Sequence, residues 1–311
     1  MMDSLGDHRT QSWILFNALV ALLLILDLGI FNRKAHVIKL KEALGWSVFW
    51  ITLGLGFGAW IYWYMSPSQG IEYVTGYLVE KSLSVDNLFV FLLIFRAFQI
   101  EKKYQHRLLF WGVLGAIILR AIMIGVGAEL IERFHWLIQV FGAFLVWTGI
   151  KLFNEANQKF DPKSSPVLKY VRKLLPVTDE HHPGKFTITQ NGKRYFTLSF
   201  VALILIESSD VLFALDSVPA VFGVSKDPFI VYTSNIFAIL GLRSLFFVLE
   251  DFMDRFHLLK YGLAVILAVV GVKMLIEPWV KIPSWMGLAF ICAILVSATA
   301  LSFVIPPKKE D

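Results

Sequence analysis

The stretch Leu205-Ile-Glu-Ser-Ser-Asp-Val-Leu-Phe-Ala-Leu-Asp-Ser217 sets three carboxylates, Glu207, Asp210 and Asp216, inside an apolar run from about 196 to 222. A second stretch, Gly76-Tyr-Leu-Val-Glu-Lys-Ser-Leu-Ser-Val-Asp-Asn-Leu-Phe89, does the same with Glu80 and Asp86. At the centre of a membrane helix an acid costs roughly 2.5–3.5 kcal/mol, while each Leu, Ile, Phe or Val returns only about 0.3–0.6 kcal/mol. Acids placed this way face a protein interior or a wet cavity and mark an ion or proton path.

Working outward, the 311 residues are 57% hydrophobic and 17% charged with mean hydropathy +0.64, which excludes an ordinary soluble domain and a disordered chain. The composition predicts an all-α polytopic membrane protein. Nine runs are long enough to cross a hydrocarbon core, at roughly 12–31, 44–65, 71–95, 108–127, 134–153, 196–222, 228–249, 258–277 and 284–305. The first is longer than the apolar part of a cleavable signal, and basic residues follow it rather than precede it, so it reads as a span. The formal charge of +5 and pI near 9.1 come from basic residues in the segments between spans, where they are topology signals and not a nucleic-acid surface. The single cysteine, Cys292, allows neither an intramolecular disulfide nor a thiolate metal cluster.

Lys and Arg alternate across the inter-span segments without a break, 21 on one side and four on the other. The positive-inside rule therefore predicts an external N-terminus and a cytoplasmic C-terminus. The long connection, about 154–195, is cytoplasmic; Val167 to Leu175 has the pattern of a short interfacial helix, and Asn191-Gly192 lies between alternating segments as a hairpin turn would. It reads as a linker in preference to a plug or lid. His181 and His182 within it read as solvated side chains before a metal sensor.

Two parts of the chain match in order and spacing. Asp86-Asn-Leu-Phe89 corresponds to Asp210-Val-Leu-Phe213, Leu119-Arg120 to Leu242-Arg243, Glu132-Arg-Phe-His135 to Asp254-Arg-Phe-His257 and Gly149-Ile-Lys151 to Gly271-Val-Lys273, at offsets of 124, 123, 122 and 122. This predicts a duplication within a single transmembrane domain, residues 71–153 and 196–277. Three spans per copy make the repeat inverted, an architecture in which transporters bind substrate near the midplane, often on interrupted helices.

Glu207 and Asp210 share a helix face, whereas Asp216 would point about 120° from Asp210 on a continuous helix; Glu80 and Asp86 have the same spacing. Convergence of all five acids requires each helix to unwind or bend between its acids, and Pro219 and the serines at 82, 84, 208, 209 and 217 are compatible with such a break. Oxygen donors without cysteine suit Mg²⁺, Ca²⁺ or Mn²⁺. All seven histidines fall between spans or at span ends. Five acids against Lys81, Arg120 and Arg243 leave a formal deficit of two charges if all are ionised, which one divalent ion would neutralise. Arg120 and Arg243 are expected to pair with the acids, while Asp27, six residues before Arg33, is placed to snorkel to the cytoplasmic interface.

At these residues the chain resembles the TerC family of integral membrane proteins, and its alkali-inducible Alx-like branch most closely. The resemblance is carried by Glu80-Lys-Ser-Leu-Ser-Val-Asp86-Asn87, by Glu207-Ser-Ser-Asp210-Val-Leu-Phe-Ala-Leu-Asp216-Ser217, where Ser208 holds a position that also admits a larger residue, and by Asp227-Pro-Phe-Ile-Val-Tyr-Thr-Ser-Asn235-Ile-Phe-Ala-Ile-Leu-Gly-Leu-Arg243. It implies export of Mn²⁺ from the bacterial cytoplasm, with Glu80, Asp86, Glu207, Asp210 and Asp216 handling the ion. Asn87, Ser208, Ser217, Asn235, Arg120, Arg243, Lys81 and Asp27 are then supporting or charge-balancing positions. No resident cofactor is expected; proton coupling through the same acids is a secondary expectation, and membrane lipids are the expected surroundings. The competing readings are a membrane partner in protein insertion or metal delivery that transports nothing itself, and an intramembrane acid-pair enzyme. Against the enzyme stand the lack of a Gly-x-Gly-Asp around the acids and of a Ser-His pair at membrane depth.

Overall fold

The computed structural model describes residues 2–26, 38–155, 166–178, 180, 184–190, 192–252 and 258–305. It divides into two units, residues 1–37 and 38–311. The first contributes one helix, α1 (Met2–Leu26), apolar from Thr10 onward.

The second unit is almost entirely helical: α2 (Leu40–Tyr64), α3 (Pro67–Ala97), α4 (Lys102–Arg133), α5 (Leu137–Glu155), α6 (Pro166–Leu174), strands β1 (Thr187–Gln190) and β2 (Lys193–Phe196), then α7 (Leu198–Phe222), α8 (Pro228–Leu240), α9 (Leu242–Phe252), α10 (Leu259–Ile276) and α11 (Ser284–Val304). Several starts are written locally. The Ser66 hydroxyl accepts from the Gln69 amide at 3.2 Å with Pro67 next, and the Asp227 carboxylate accepts from the Phe229 amide at 2.9 Å with Pro228 next. Thr197 caps α7 through the Phe200 amide.

Among the described residues, five helices, α2, α4, α5, α7 and α11, are long and apolar enough to cross a membrane. A sixth follows if α8 and α9 are taken together as one span bent by 43° at Gly241. The surface agrees with lipid surroundings, since Ile122, Leu212 and Val296 are largely exposed while Glu80, Arg120 and Asn235 are wholly buried. Trp63, Tyr64, Trp136, Trp279 and Trp285 are exposed at the ends of α2, α5, α10 and α11, as an interfacial aromatic belt would be.

The expected breaks in the acid-bearing helices are not present. Both α3 and α7 run continuously past their acids, and the interruption lies instead between α8 and α9. There Lys81, from α3, donates its Nζ to the Ala238 carbonyl at 3.0 Å, placing a cation on the last turn of α8 where helix carbonyls lack partners.

The packing pairs the two expected copies. α3 packs on α7 and α8, α4 on α7, α8 and α9, and α5 on α10. The α5–α10 contact is backbone against backbone: a Cβ on Gly271 would stand 2.6 Å from the Gly142 carbonyl oxygen, and one on Gly149 2.7 Å from the Ala264 carbonyl oxygen. Adding 122 to 142 and subtracting it from 271 turns the first contact into the second, so the two are exchanged by the repeat offset.

The long connection contains the hairpin expected at Asn191-Gly192, with β1 and β2 antiparallel and Gly192 at φ +72°. Its base is clamped to two helices. Arg107 on α4 donates to the Gly184 carbonyl at 2.9 Å and lies over the Phe186 ring, while Thr197 at the start of α7 bonds the Lys185 carbonyl through its hydroxyl. His181 and His182 lie outside the described residues, as do residues 253–257 with the second half of the Glu132/Asp254 match.

Candidate ion site around Arg120

The site is assembled from five helices. On α3, Glu80 and Asn87 are seven residues apart and so lie two turns along one face; Asp210 and Ser217 stand in the same relation on α7. α4 supplies Arg120, α8 supplies Asn235 and α5 supplies Thr148.

The Arg120 guanidinium is the hub. Its Nη1 donates to Glu80 Oε1, to the Ser217 hydroxyl at 3.2 Å and to Asn235 Oδ1 at 2.9 Å, and its Nη2 donates to Asp210 Oδ1 at 3.2 Å. Asn87 donates to the same Asp210 oxygen at 3.4 Å, and the Ser84 hydroxyl donates to Glu80 Oε1 at 3.3 Å. The other carboxylate oxygens, Glu80 Oε2 and Asp210 Oδ2, are buried without a hydrogen-bond partner, as is Arg120 Nε. Buried polar atoms are ordinarily satisfied, and each of these oxygens is an acceptor able to take a cation or a proton.

Beside the hub lies a cavity of about 80 Å³ lined by Glu80, Asn87, Thr148, Asp216 and Ser217, with Leu83, Leu152, Phe213 and Leu267 as its apolar wall. A water molecule takes about 30 Å³ in the liquid, so the space suits an ion with at most a water or two. Asp216 therefore does meet the site, at the cavity wall, where its carboxylate accepts from the Thr148 hydroxyl at 3.2 Å. Glu80, Asp210 and Asp216 against Arg120 carry a formal charge of −2 if all are ionised.

Glu207 is not at the hub. Its carboxylate lies over Gly115 of α4, where a Cβ would overlap both oxygens. Gly115→Ala must push this flexible side chain aside, so we expect little change in thermal stability, read by unfolding of the purified protein. Ser208 and Ser209 turn their hydroxyls back to the Leu205 carbonyl, at 3.0 and 2.8 Å, and do not face the hub. Arg243 is buried at the start of α9. The backbone of Asp86 continues α3, but its side chain lies outside the described residues, as does Asp27. Among the described residues, no three His, Cys, Asp or Glu side chains stand close enough to hold one metal ion. Thr148 and Gly115 had no sequence signal of their own, although Thr148 adjoins the Gly149-Ile-Lys151 repeat match.

Residues 65–310 match the family described as "Integral membrane protein TerC family". The chain is 51% identical to an uncharacterized membrane protein of Myxococcus xanthus, over 94% of this chain and 92% of that one. It is 44% identical to the protein of Escherichia coli K12 named "Putative membrane-bound redox modulator Alx", over 94% of this chain and 93% of that one. An uncharacterized membrane protein of Rickettsia bellii is 44% identical, over 92% and 95% of the two chains. No solved structure matches the chain.

Proposed function

The chain belongs to the TerC family of integral membrane proteins, and from that premise we propose that it is a transporter that exports a divalent cation, Mn²⁺ before Ca²⁺ or Mg²⁺, across a bacterial inner membrane. One observation carries the reading. Two acids from the two proposed repeats, Glu80 and Asp210, are buried on either side of one guanidinium, each with an unpartnered oxygen, next to a small cavity that Asp216 enters from α7. Hard divalent cations take such oxygen sets, with the Thr148 and Ser217 hydroxyls and the Asn87 amide oxygen as neutral ligands.

In this reading nine helices cross the membrane, α8 with α9 forming the seventh, and the N-terminus lies outside. The aromatic ends of α2, α5, α10 and α11 support a shared membrane interface for these ends, and the charge count assigns that interface to the external side. The exchange-related contacts of α5 with α10 support an inverted repeat. The acids approach one ion only after a rearrangement, and rocking of one repeat against the other supplies it.

The redox role in the name of the E. coli relative draws no support from thiol chemistry, since one cysteine per chain leaves no second thiol for intramolecular exchange. The test is Mn²⁺ flux in proteoliposomes of the purified protein across a pH gradient, with Ca²⁺ and Mg²⁺ competing. Asp210→Asn and Asp86→Asn are expected to bring flux to background while the protein still inserts. Background flux in the unsubstituted protein would favour the non-transporting partner instead.

A further inference from the structure

We propose that Arg120 is a tethered cation that exchanges with the transported ion for Glu80 and Asp210. The proposal rests on the transport reading above and assigns this residue a part in the transport cycle, beyond joining helices.

The geometry of the guanidinium carries it. An arginine that ties one carboxylate frequently pairs with it fork to fork, two parallel bonds to two oxygens. Arg120 does not. Its donors are divided among four acceptors on three helices, Glu80 on α3, Asp210 and Ser217 on α7 and Asn235 on α8. Each carboxylate gives it one oxygen and keeps the other unpartnered. The contact also adjoins the cavity, because Glu80 and Ser217 both touch Arg120 and line that space. An ion entering there meets Asp216 and Glu80 beside the group that already neutralises Glu80.

Buried carboxylates that stay ionised need a counter-charge. Arg120 supplies one whenever the ion is absent, and the ion supplies it when bound. Lys81, the neighbouring cation on α3, is engaged with the Ala238 carbonyl at the α8–α9 break. By competing for the charge of the same two carboxylates, Arg120 weakens ion binding and drives release. Its removal should therefore tighten binding and slow turnover, two effects that a purely structural tie would not produce together.

The experiment compares Mn²⁺ affinity of the full-length protein in detergent, by electron paramagnetic resonance, with Mn²⁺ efflux from proteoliposomes, for the unsubstituted protein, Arg120→Gln and Arg120→Lys. Arg120→Gln is expected to bind Mn²⁺ about ten- to a hundredfold more tightly, as removal of one nearby charge implies, and to export it more slowly at saturating Mn²⁺. Arg120→Lys keeps the charge, and with it the fold, but as a point donor reaches fewer acceptors; roughly threefold tighter binding is expected. Unchanged or weaker affinity in Arg120→Gln, or in Arg120→Lys should Arg120→Gln not fold, overturns the exchange role while leaving transport standing. An unsubstituted protein that neither binds nor moves Mn²⁺ removes the transport reading and this proposal with it.

Discussion

Arg120→Leu is expected to lower folding stability by about 3–5 kcal/mol in metal-free buffer, the cost of leaving buried charges without their partner. The side chain is wholly buried and compensates both Glu80 and Asp210, so its loss strands two carboxylates among α3, α7 and α8. Thermal unfolding of the purified protein with chelator should show a fall on the order of 10 °C. The triple variant Glu80→Gln, Arg120→Leu, Asp210→Asn carries no charge at these three positions and should recover most of that loss, because a buried charge pair removed whole costs far less than one broken. A triple variant as unstable as the single one would show that packing around Arg120, and not charge balance, sets the effect.

Gly271→Leu should be comparably damaging for a different reason. At this position the obstacle to a Cβ is backbone, the Gly142 carbonyl oxygen at 2.6 Å and the Val146 amide nitrogen at 2.8 Å, which cannot rotate away as a side chain can. Overpacking costs about 1–3 kcal/mol where neighbours can adjust, and more where they cannot. Separation of α5 from α10 should therefore reduce both thermal stability and the yield of monodisperse protein. Gly125→Ala is the control, since nothing lies within 4 Å of a Cβ there. Equal stability of the two variants would refute the close approach.

The parts of the site legible from sequence were those whose chemistry is out of place. Glu80, Asp210 and Arg120 stand out because ionised groups are rare in apolar runs, and the repeat register links Arg120 with Arg243. The hairpin was legible because Asn-Gly suits the turn. The expected breaks in α3 and α7 followed from treating Asp216 and Asp210 as ligands on one face. In the structure Asp216 is instead met by Thr148 from α5, so α7 has no need to bend, and Ser82, Ser208 and Ser209 bond carbonyls of their own helices. Pro219 lies inside α7 near its end, and the helix continues through it to Phe222 without the expected break between Asp210 and Asp216. Thr148 itself was illegible, because a hydroxyl within an apolar helix has no periodic signature. The interruption at Gly241 was missed because α8 and α9 read as one unbroken apolar run.

The clamp at the base of the hairpin bears on that buried pair. Arg107 precedes Arg120 by thirteen residues, and Thr197 precedes Asp210 by the same number. On continuous helices both intervals span about 20 Å, so clamp and ion pair are two rungs of one ladder whose rails, α4 and α7, run in step.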